Sequence, residues 1–120
     1  MSLLLCSCSK SFVKTTPDFR TEVLTQLHQM GSDTSKPHSF DFYLYLPTEV
    51  TAKQAGQRLS AINYHVKVEP AAKGTDWLCL ATTTLTPDTA PLSEIGNQFT
   101  QLAKEFHGDF DGWESDVINK

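Results

Sequence analysis

Three aspartates have the residue type and the spacing that could support catalysis. Asp109 and Asp111 alternate along the last predicted strand, and Asp41 lies in the first strand of the predicted core. If these two strands pair, the three carboxylates approach one another and could act as an acid/base pair or bind a hard metal ion. More commonly, such residues keep a strand soluble and prevent edge-to-edge association. A small carboxylate enzyme is therefore an alternative, and not the favoured interpretation.

The other reactive side chains form no recognisable catalytic or metal-binding motif. The four histidines lie on different predicted elements without metal-ligand spacing. The pair Cys6 and Cys8 supplies only two of the four thiolates of a structural zinc site. The sequence contains no Gly-rich phosphate loop, serine nucleophile elbow or HExxH motif. We expect no enzymatic activity and no cofactor.

Composition places the chain among soluble, single-domain proteins. Its 120 residues carry a formal net charge of −4, which disfavours a basic nucleic-acid-binding surface and suits a basic protein partner. No apolar stretch approaches the roughly 20 residues that span a membrane. Three cysteines form no disulfide framework and fit a reducing compartment, so we expect a cytoplasmic protein. The opening "MSLLLCSC" leaves a lipoprotein anchored at Cys6 as an alternative.

Hydrophobic periodicity predicts one helix followed by a βαββαβ segment. Residues 1–15 show no period and are predicted to be a flexible leader, followed by a single domain over 16–120. Within that domain we predict an N-terminal helix over 16–31 and a core over 38–116. The core contains strands in "HSFDFYLYLP", "YHVKVEP", "WLCLATTT" and "DFDGWES", with helices in "TEVTAKQAGQRLSAIN" and from Leu92 to Phe106.

This order predicts an α+β, ferredoxin-like fold. Two helices should cover one face of a four-stranded antiparallel sheet with the strand order 4-1-3-2, and the N-terminal helix is additional. Alternation along the strands then assigns each side chain to a face. The residues predicted to face the helices are Phe40, Phe42, Leu44, Leu46, Tyr64, Val66, Val68, Leu78, Leu80 and Phe110. The residues predicted on the opposite face are Tyr43, Tyr45, Trp77, Cys79 and Trp113.

An aromatic sheet face of this kind needs a cover or a partner. We expect the apolar stripe of the N-terminal helix to pack on or beside it, and the remainder to form a docking surface. For Trp113, one interpretation is packing across the sheet against Tyr43 or Tyr45, and the other is direct contact with a partner together with Glu114. RNA-recognition modules also use aromatic sheet faces, but their basic glycine-aromatic motif is absent, so direct RNA binding is a weaker alternative.

Several segments together resemble the regulator of ribonuclease activity B (RraB) family, also called ribonuclease E inhibitor B. They are "FDFYLYLP", "AKQAGQRLSAINYHVKVEP", "WLCLATTTLTP" and "LAKEFHGDFDGWES", which occur in this order over about residues 38–116. The most specific pieces are "GDFDGWE", "WLCLATTTLTP" and "FYLYLP".

The resemblance implies a ferredoxin-like protein without catalytic activity that binds ribonuclease E away from its catalytic centre and modulates RNA cleavage. An interaction module of the same fold with a different partner is the first alternative. We predict no direct nucleic-acid binding and no membrane span. The residues predicted to contact the partner are Tyr43, Tyr45, Trp77, Asp111, Trp113 and Glu114.

Overall fold

The computed structural model describes residues 2–6, 18–72 and 74–119. The elements follow in the order β1 (Ser2–Cys6), α1 (Phe19–Gln29), β2 (His38–Leu46), α2 (Glu49–Ser60), β3 (His65–Pro70), β4 (Trp77–Leu85), α3 (Leu92–Glu105) and β5 (Asp109–Asp116). The predicted α+β class is confirmed, and each predicted helix and strand of the segment 16–116 is present.

The strands form one antiparallel sheet with the order β1-β5-β2-β4-β3. If β2, β3, β4 and β5 are renumbered 1, 2, 3 and 4 within the βαββαβ segment, these four strands lie in the order 2-3-1-4. The sheet has a fifth strand that the sequence analysis did not predict, because Ser2–Cys6 pairs along its whole length with β5. The prediction of a flexible leader is therefore wrong for residues 2–6, and the rest of that leader lies outside the described residues.

Local sequence explains where the first two helices begin. Asp18 precedes α1 in an extended conformation, and its carboxylate accepts a hydrogen bond from the backbone N–H of Thr21 at 3.1 Å. Thr48 plays the same role for α2 and forms a reciprocal capping box with Thr51. Each cap satisfies N–H groups that have no acceptor within the helix.

All three helices of the described segments pack on the same face of the sheet. The ring of Phe42 on β2 lies 4.7 Å from that of Phe99 on α3 and 6.3 Å from that of Phe19 on α1, measured between centroids. On α2, Gly56 approaches β3 so closely that a Cβ atom there would lie 2.9 Å from Cγ1 of Val66. The expectation that the N-terminal helix packs on or beside the opposite face is therefore wrong, because α1 extends the helix layer instead.

The faces of β2 and β3 agree with the prediction, but the faces of β4 are reversed. Leu44 on β2 pairs directly with Cys79, and residues directly opposite each other in an antiparallel pair share a face. Trp77, Cys79 and Ala81 thus face the helices, whereas Leu78 and Leu80 point away from them. Gly56 on α2 packs close to this face, because a Cβ atom there would lie 3.6 Å from Sγ of Cys79.

A β-bulge in β5 also changes the predicted position of Trp113. Phe42 pairs with Trp113 and Leu44 pairs with Phe110, so β5 contains one more residue than β2 across this step. Gly112 lies at the bulge with a φ of 115°, a conformation that side chains rarely adopt. The extra residue places both Phe110 and Trp113 on the helix face.

A buried hydrogen-bond network holds the end of β5 to the segment after α1. The Nδ1–H of His38 donates to the carbonyl of Lys36 at 2.7 Å, so Nε2 is the acceptor for the hydroxyl of Ser32, also at 2.7 Å. The Ser32 oxygen in turn accepts the backbone N–H of Ile118 at 2.9 Å. His38 and Ser32 are both buried, so each polar atom in this network depends on its partner.

Candidate functional site

The candidate site is the sheet face that the three described helices leave uncovered, which we call the open face. It carries side chains from β2, β3, β4 and β5, as the strand register and its alternation show. These residues are Ser39, Asp41, Tyr43, Tyr45, His65, Lys67, Glu69, Leu78, Leu80, Thr82, Thr84, Asp109, Glu114 and Asp116.

Carboxylates and a tyrosine hydroxyl meet at the centre of the open face. Asp41 on β2 lies directly opposite Glu114 on β5. The hydroxyl of Tyr43 donates to Oε1 of Glu114 at 3.0 Å, and the hydroxyl of Thr82 donates to Oδ1 of Asp41 at 2.8 Å. Asp116 follows on the same side of β5, two residues beyond Glu114. We call Asp41, Glu114 and Asp116 the acidic cluster.

Burial and the nearby carboxylates together act on the pKa values of Asp41 and Tyr43, in the middle of the open face. Burial raises the pKa of Asp41, hydrogen bonding and repulsion from Glu114 and repulsion from Asp116 raise it further, and the Thr82 hydroxyl only partly offsets these effects. Burial and the bond to Glu114 raise the pKa of Tyr43 to about 12. Tyr43 is therefore a neutral hydrogen-bond donor at physiological pH, and a positively charged group close to the cluster would be stabilised.

The structure brings together three of the six residues predicted to contact a partner. Tyr43, Tyr45 and Glu114 lie on the open face, with Tyr43 bonded to Glu114. Their role in binding stays a prediction. Asp111 lies at the bulge of β5, beside Gly112, and its role also stays a prediction.

The two tryptophans do not lie on the open face. Trp77 pairs with Leu46 on the helix side, where it is partly buried. Trp113 is completely buried, with its ring centroid 5.7 Å from that of Phe40, so both its predicted placement and its proposed packing on Tyr43 or Tyr45 are wrong. Because no part of its side chain is accessible, Trp113 cannot touch a partner in this conformation.

The indole of Trp113 faces α1. Among the described residues, its Nε1 has no hydrogen-bond partner at ordinary distance and angle. It nevertheless acts on the carboxylate of Glu22 on α1: burial raises the pKa of that group, and the indole N–H lowers it by a smaller amount. Trp113 is thus a core residue that contacts the helix added before the βαββαβ segment.

Sequence reasoning missed part of the open face. The sequence pattern gives Asp41 a role only in the catalytic alternative, and it predicts no role in partner binding for Leu80, Thr82 or Asp116. A signal for two of them was present, because Asp41 lies two residues before Tyr43 and Asp116 lies two residues after Glu114. Leu80 and Thr82 on β4 can be assigned to this face only from the register between β2 and β4.

The carboxylates proposed for catalysis are not assembled. Asp109 lies opposite Tyr45, whereas Asp41 lies opposite Glu114. Four residues of strand separate Asp41 from Tyr45, which corresponds to roughly 13 Å. Within residues 2–6, 18–72 and 74–119, no group of three or more histidine, cysteine or acidic side chains has a metal-binding arrangement.

Comparison with protein-family models gives a match over most of the chain. A family model described as regulator of ribonuclease activity B matches residues 18–115. This range contains α1, the βαββαβ segment up to Ser115, and both tyrosines of the open face. No curated protein matches the chain. In the part of the chain that the structure describes, none of the helices has the length and apolar character needed to cross a membrane.

Proposed function

Since this chain belongs to the RraB family of regulators of ribonuclease activity, we propose that it binds ribonuclease E through the open face and slows RNA cleavage. The protein contributes no catalysis of its own and acts in the cytoplasm. We also infer that its βαββαβ segment is a ferredoxin-like unit, because two antiparallel strands lie at the sheet centre and both crossover helices lie on one face.

The observation that carries this proposal is the pairing of Asp41 with Glu114 beside Tyr43. Two carboxylates held opposite each other raise each other's free energy, and an arginine or lysine placed between them removes that repulsion. The tyrosine rings of the open face add apolar area and can stack on a guanidinium group. A basic segment of a protein partner is therefore the ligand that this surface fits best.

The same charges disfavour direct binding of RNA. Base-stacking aromatic platforms work beside cations that neutralise phosphate groups. Here Tyr43 donates its hydroxyl to a carboxylate, and its pKa is raised in part by the negative charges of Glu114 and Asp41. A phosphate brought to this position would be repelled.

The proposal is tested by titrating the purified protein with ribonuclease E at low and moderate salt and measuring RNA cleavage by the complex. Glu114→Gln removes one negative charge from the acidic cluster and keeps the side-chain shape. Glu94→Gln is the matched control, because it makes the same change at an exposed position in the first turn of α3, on the helix side of the sheet. We expect Glu114→Gln to weaken binding about fivefold and the control to leave it unchanged.

The outcomes separate this function from its alternatives. Saturable binding that slows cleavage, weakens with salt and responds to Glu114→Gln alone supports the proposal. Equal responses of the two variants would show that only net charge matters and would remove the open face from the mechanism. No binding of ribonuclease E would leave family membership intact and would point to a different protein partner.

A further inference from the structure

The sheet ends at β3, whose outer side pairs with no strand among the described residues. The N–H of Ala71 donates to the carbonyl of Asp76 at 3.0 Å, which fixes the alternation of hydrogen bonds between β3 and β4. In an antiparallel pair every second residue directs its backbone N–H and C=O groups to the same neighbouring strand. Since Ala71 directs its N–H toward β4, the backbone groups of Glu69 and Lys67 also point toward β4. Val66 and Val68 therefore direct their N–H and C=O groups outward, and Pro70 directs its carbonyl outward.

Apolar surface accompanies this unpaired edge. A groove of about 520 Å³ runs between α2 and β3, with Gly56, Val66 and Val68 among its lining residues. In the described residues only three large hydrophobic side chains are exposed, and two belong to the α2 region: Val50, which is 63% exposed, and Ile62, which is 50% exposed. An open edge beside uncovered apolar surface is a site at which another strand can add.

The charges on β3 select which strand fits. Lys67 and Glu69 lie on either side of Val68 on the open face, where Lys67 is exposed, Glu69 is half-buried, and Nζ of Lys67 lies 3.5 Å from Oε1 of Glu69 in the same chain. If two copies of β3 pair antiparallel with Val68 on the two-fold axis, Lys67 of each copy lies opposite Glu69 of the other. Shifting this register one pair in either direction places Lys67 opposite Lys67 or Glu69 opposite Glu69, and like charges directly opposite each other are destabilising.

The backbone groups match the same register. Val68 of each copy can donate to the Val68 carbonyl of the other, and Val66 can donate to the Pro70 carbonyl. This gives about four hydrogen bonds across the axis. Pro70 contributes only its carbonyl to this contact. Its backbone nitrogen also lies on the outer side of β3, so the missing N–H costs no hydrogen bond between β3 and β4.

We propose that β3 is a self-association edge, through which two copies of this chain form a two-fold dimer with a continuous sheet. Both open faces then lie on the same side of the dimer, because edge-to-edge antiparallel pairing leaves the two sheet faces aligned. The contact is small, so we expect a dissociation constant of roughly micromolar magnitude. The proposal is independent of the ribonuclease hypothesis.

Sedimentation equilibrium over a range of protein concentrations tests the dimer with charge variants. Lys67→Glu and Glu69→Lys should each weaken self-association by at least about tenfold, because each change places like charges opposite each other twice. The two variants mixed in equal amounts should associate again, since every cross-axis pair is then complementary. The double variant, which exchanges the two charges, should dimerise like the wild-type protein.

Two further measurements keep the test specific. Lys104→Glu makes the same charge change near the end of α3 and should not alter the dissociation constant. Circular dichroism should show unchanged folding for each variant. A chain that stays monomeric at high micromolar concentration, or a mixture of the two single variants that fails to associate, would overturn the proposal. If β3 amides of the monomer become protected only on adding a partner protein, the edge binds a partner's strand and not a second copy.

Discussion

Replacing Gly112 with alanine should destabilise the protein and disturb the environment of Trp113. Gly112 has a φ of 115°, and it lies at the one-residue bulge that allows both Phe110 and Trp113 to face the helices. Alanine can be accommodated only by straining the backbone or by reshaping the bulge. Reshaping would turn one of the two aromatic side chains out of the core.

The size of the effect follows from backbone strain and chain length. A residue other than glycine in such a conformation costs about 1–3 kcal/mol, and we take about 2 kcal/mol. For a chain of 120 residues, the entropy of unfolding is roughly 250 cal/mol/K, so Tm should fall by about 8 °C. If the bulge is lost, the destabilisation should be larger, because expelling a large aromatic side chain from the core costs about 3–5 kcal/mol.

Thermal unfolding and tryptophan fluorescence measure the two parts of this prediction. A Trp77→Phe background isolates the emission of Trp113, which is completely buried in the native protein. Gly74→Ala is the control, because Gly74 also has a positive φ, of 72°, but a Cβ there would meet nothing within 4 Å. The control should cost about 1–2 kcal/mol and leave the emission unchanged.

A particular result would refute the bulge as the cause. If Gly112→Ala keeps the blue-shifted emission of Trp113, as the Gly74→Ala control should, the position of the indole does not depend on glycine at this site.

Three further predictions concern buried or mutually repelling polar groups. Ser32→Ala leaves the His38 ring nitrogen and the Ile118 N–H without partners, so urea denaturation should show a loss of about 1–3 kcal/mol. Asp41→Asn should raise the free energy of unfolding at pH 7 by about 0.5 kcal/mol, because it removes the cost of burying this charge and its repulsion from Glu114 and Asp116. The folded-state pKa of Asp41 is raised, so its ionisation costs stability as pH rises, and the gain should vanish below the ordinary pKa of 3.8. Burial raises the pKa of Cys79 to about 11, so this thiol should react with a disulfide reagent about 100-fold more slowly in the folded than in the unfolded protein, measured with the other two cysteines replaced by serine.

Each of these predictions has a contradicting outcome. A Ser32→Ala protein as stable as the wild-type protein would mean that water replaces the hydroxyl. A stability gain of Asp41→Asn that persists unchanged at acidic pH would exclude charge repulsion as its origin. Equal reaction rates of Cys79 in native and denatured protein would show that its strand opens freely.

The sequence predicted β2 and the helices well because each has one dominant period. In "FDFYLYL", large apolar residues occupy every second position and face the helices, as the register confirms. In "WLCLATTT", both sets of alternating residues are apolar, so the pattern does not determine the inward face. Leu78 and Leu80 are larger than Cys79 and Ala81, which favoured the wrong assignment. Gly56 on α2 packs against Cys79 on the inward face, and such a contact is a tertiary property that the strand itself does not encode.

The candidate site could be predicted only in part for the same reason. Tyr43 and Tyr45 follow from the period of β2 alone, and the pairing of β2 with β5 brings Glu114 to Tyr43. Trp113 could not be placed by alternation, because the bulge shifts the count by one residue. A glycine between two aromatic residues in "DFDGW" is a signal of such an irregularity in a strand.

The order of strands also determines the order in which the sheet can assemble. β1 precedes the other described strands in the chain, but its only neighbour in the described sheet is β5, which follows them. The first described strand therefore has no neighbour in the sheet until β5 has been synthesised, and it closes the contact of greatest sequence separation among the described strands. β5, in contrast, is already held by β2. Hydrogen exchange should consequently detect opening of β1 without opening of β5, whereas any event that releases β5 must release β1 with it.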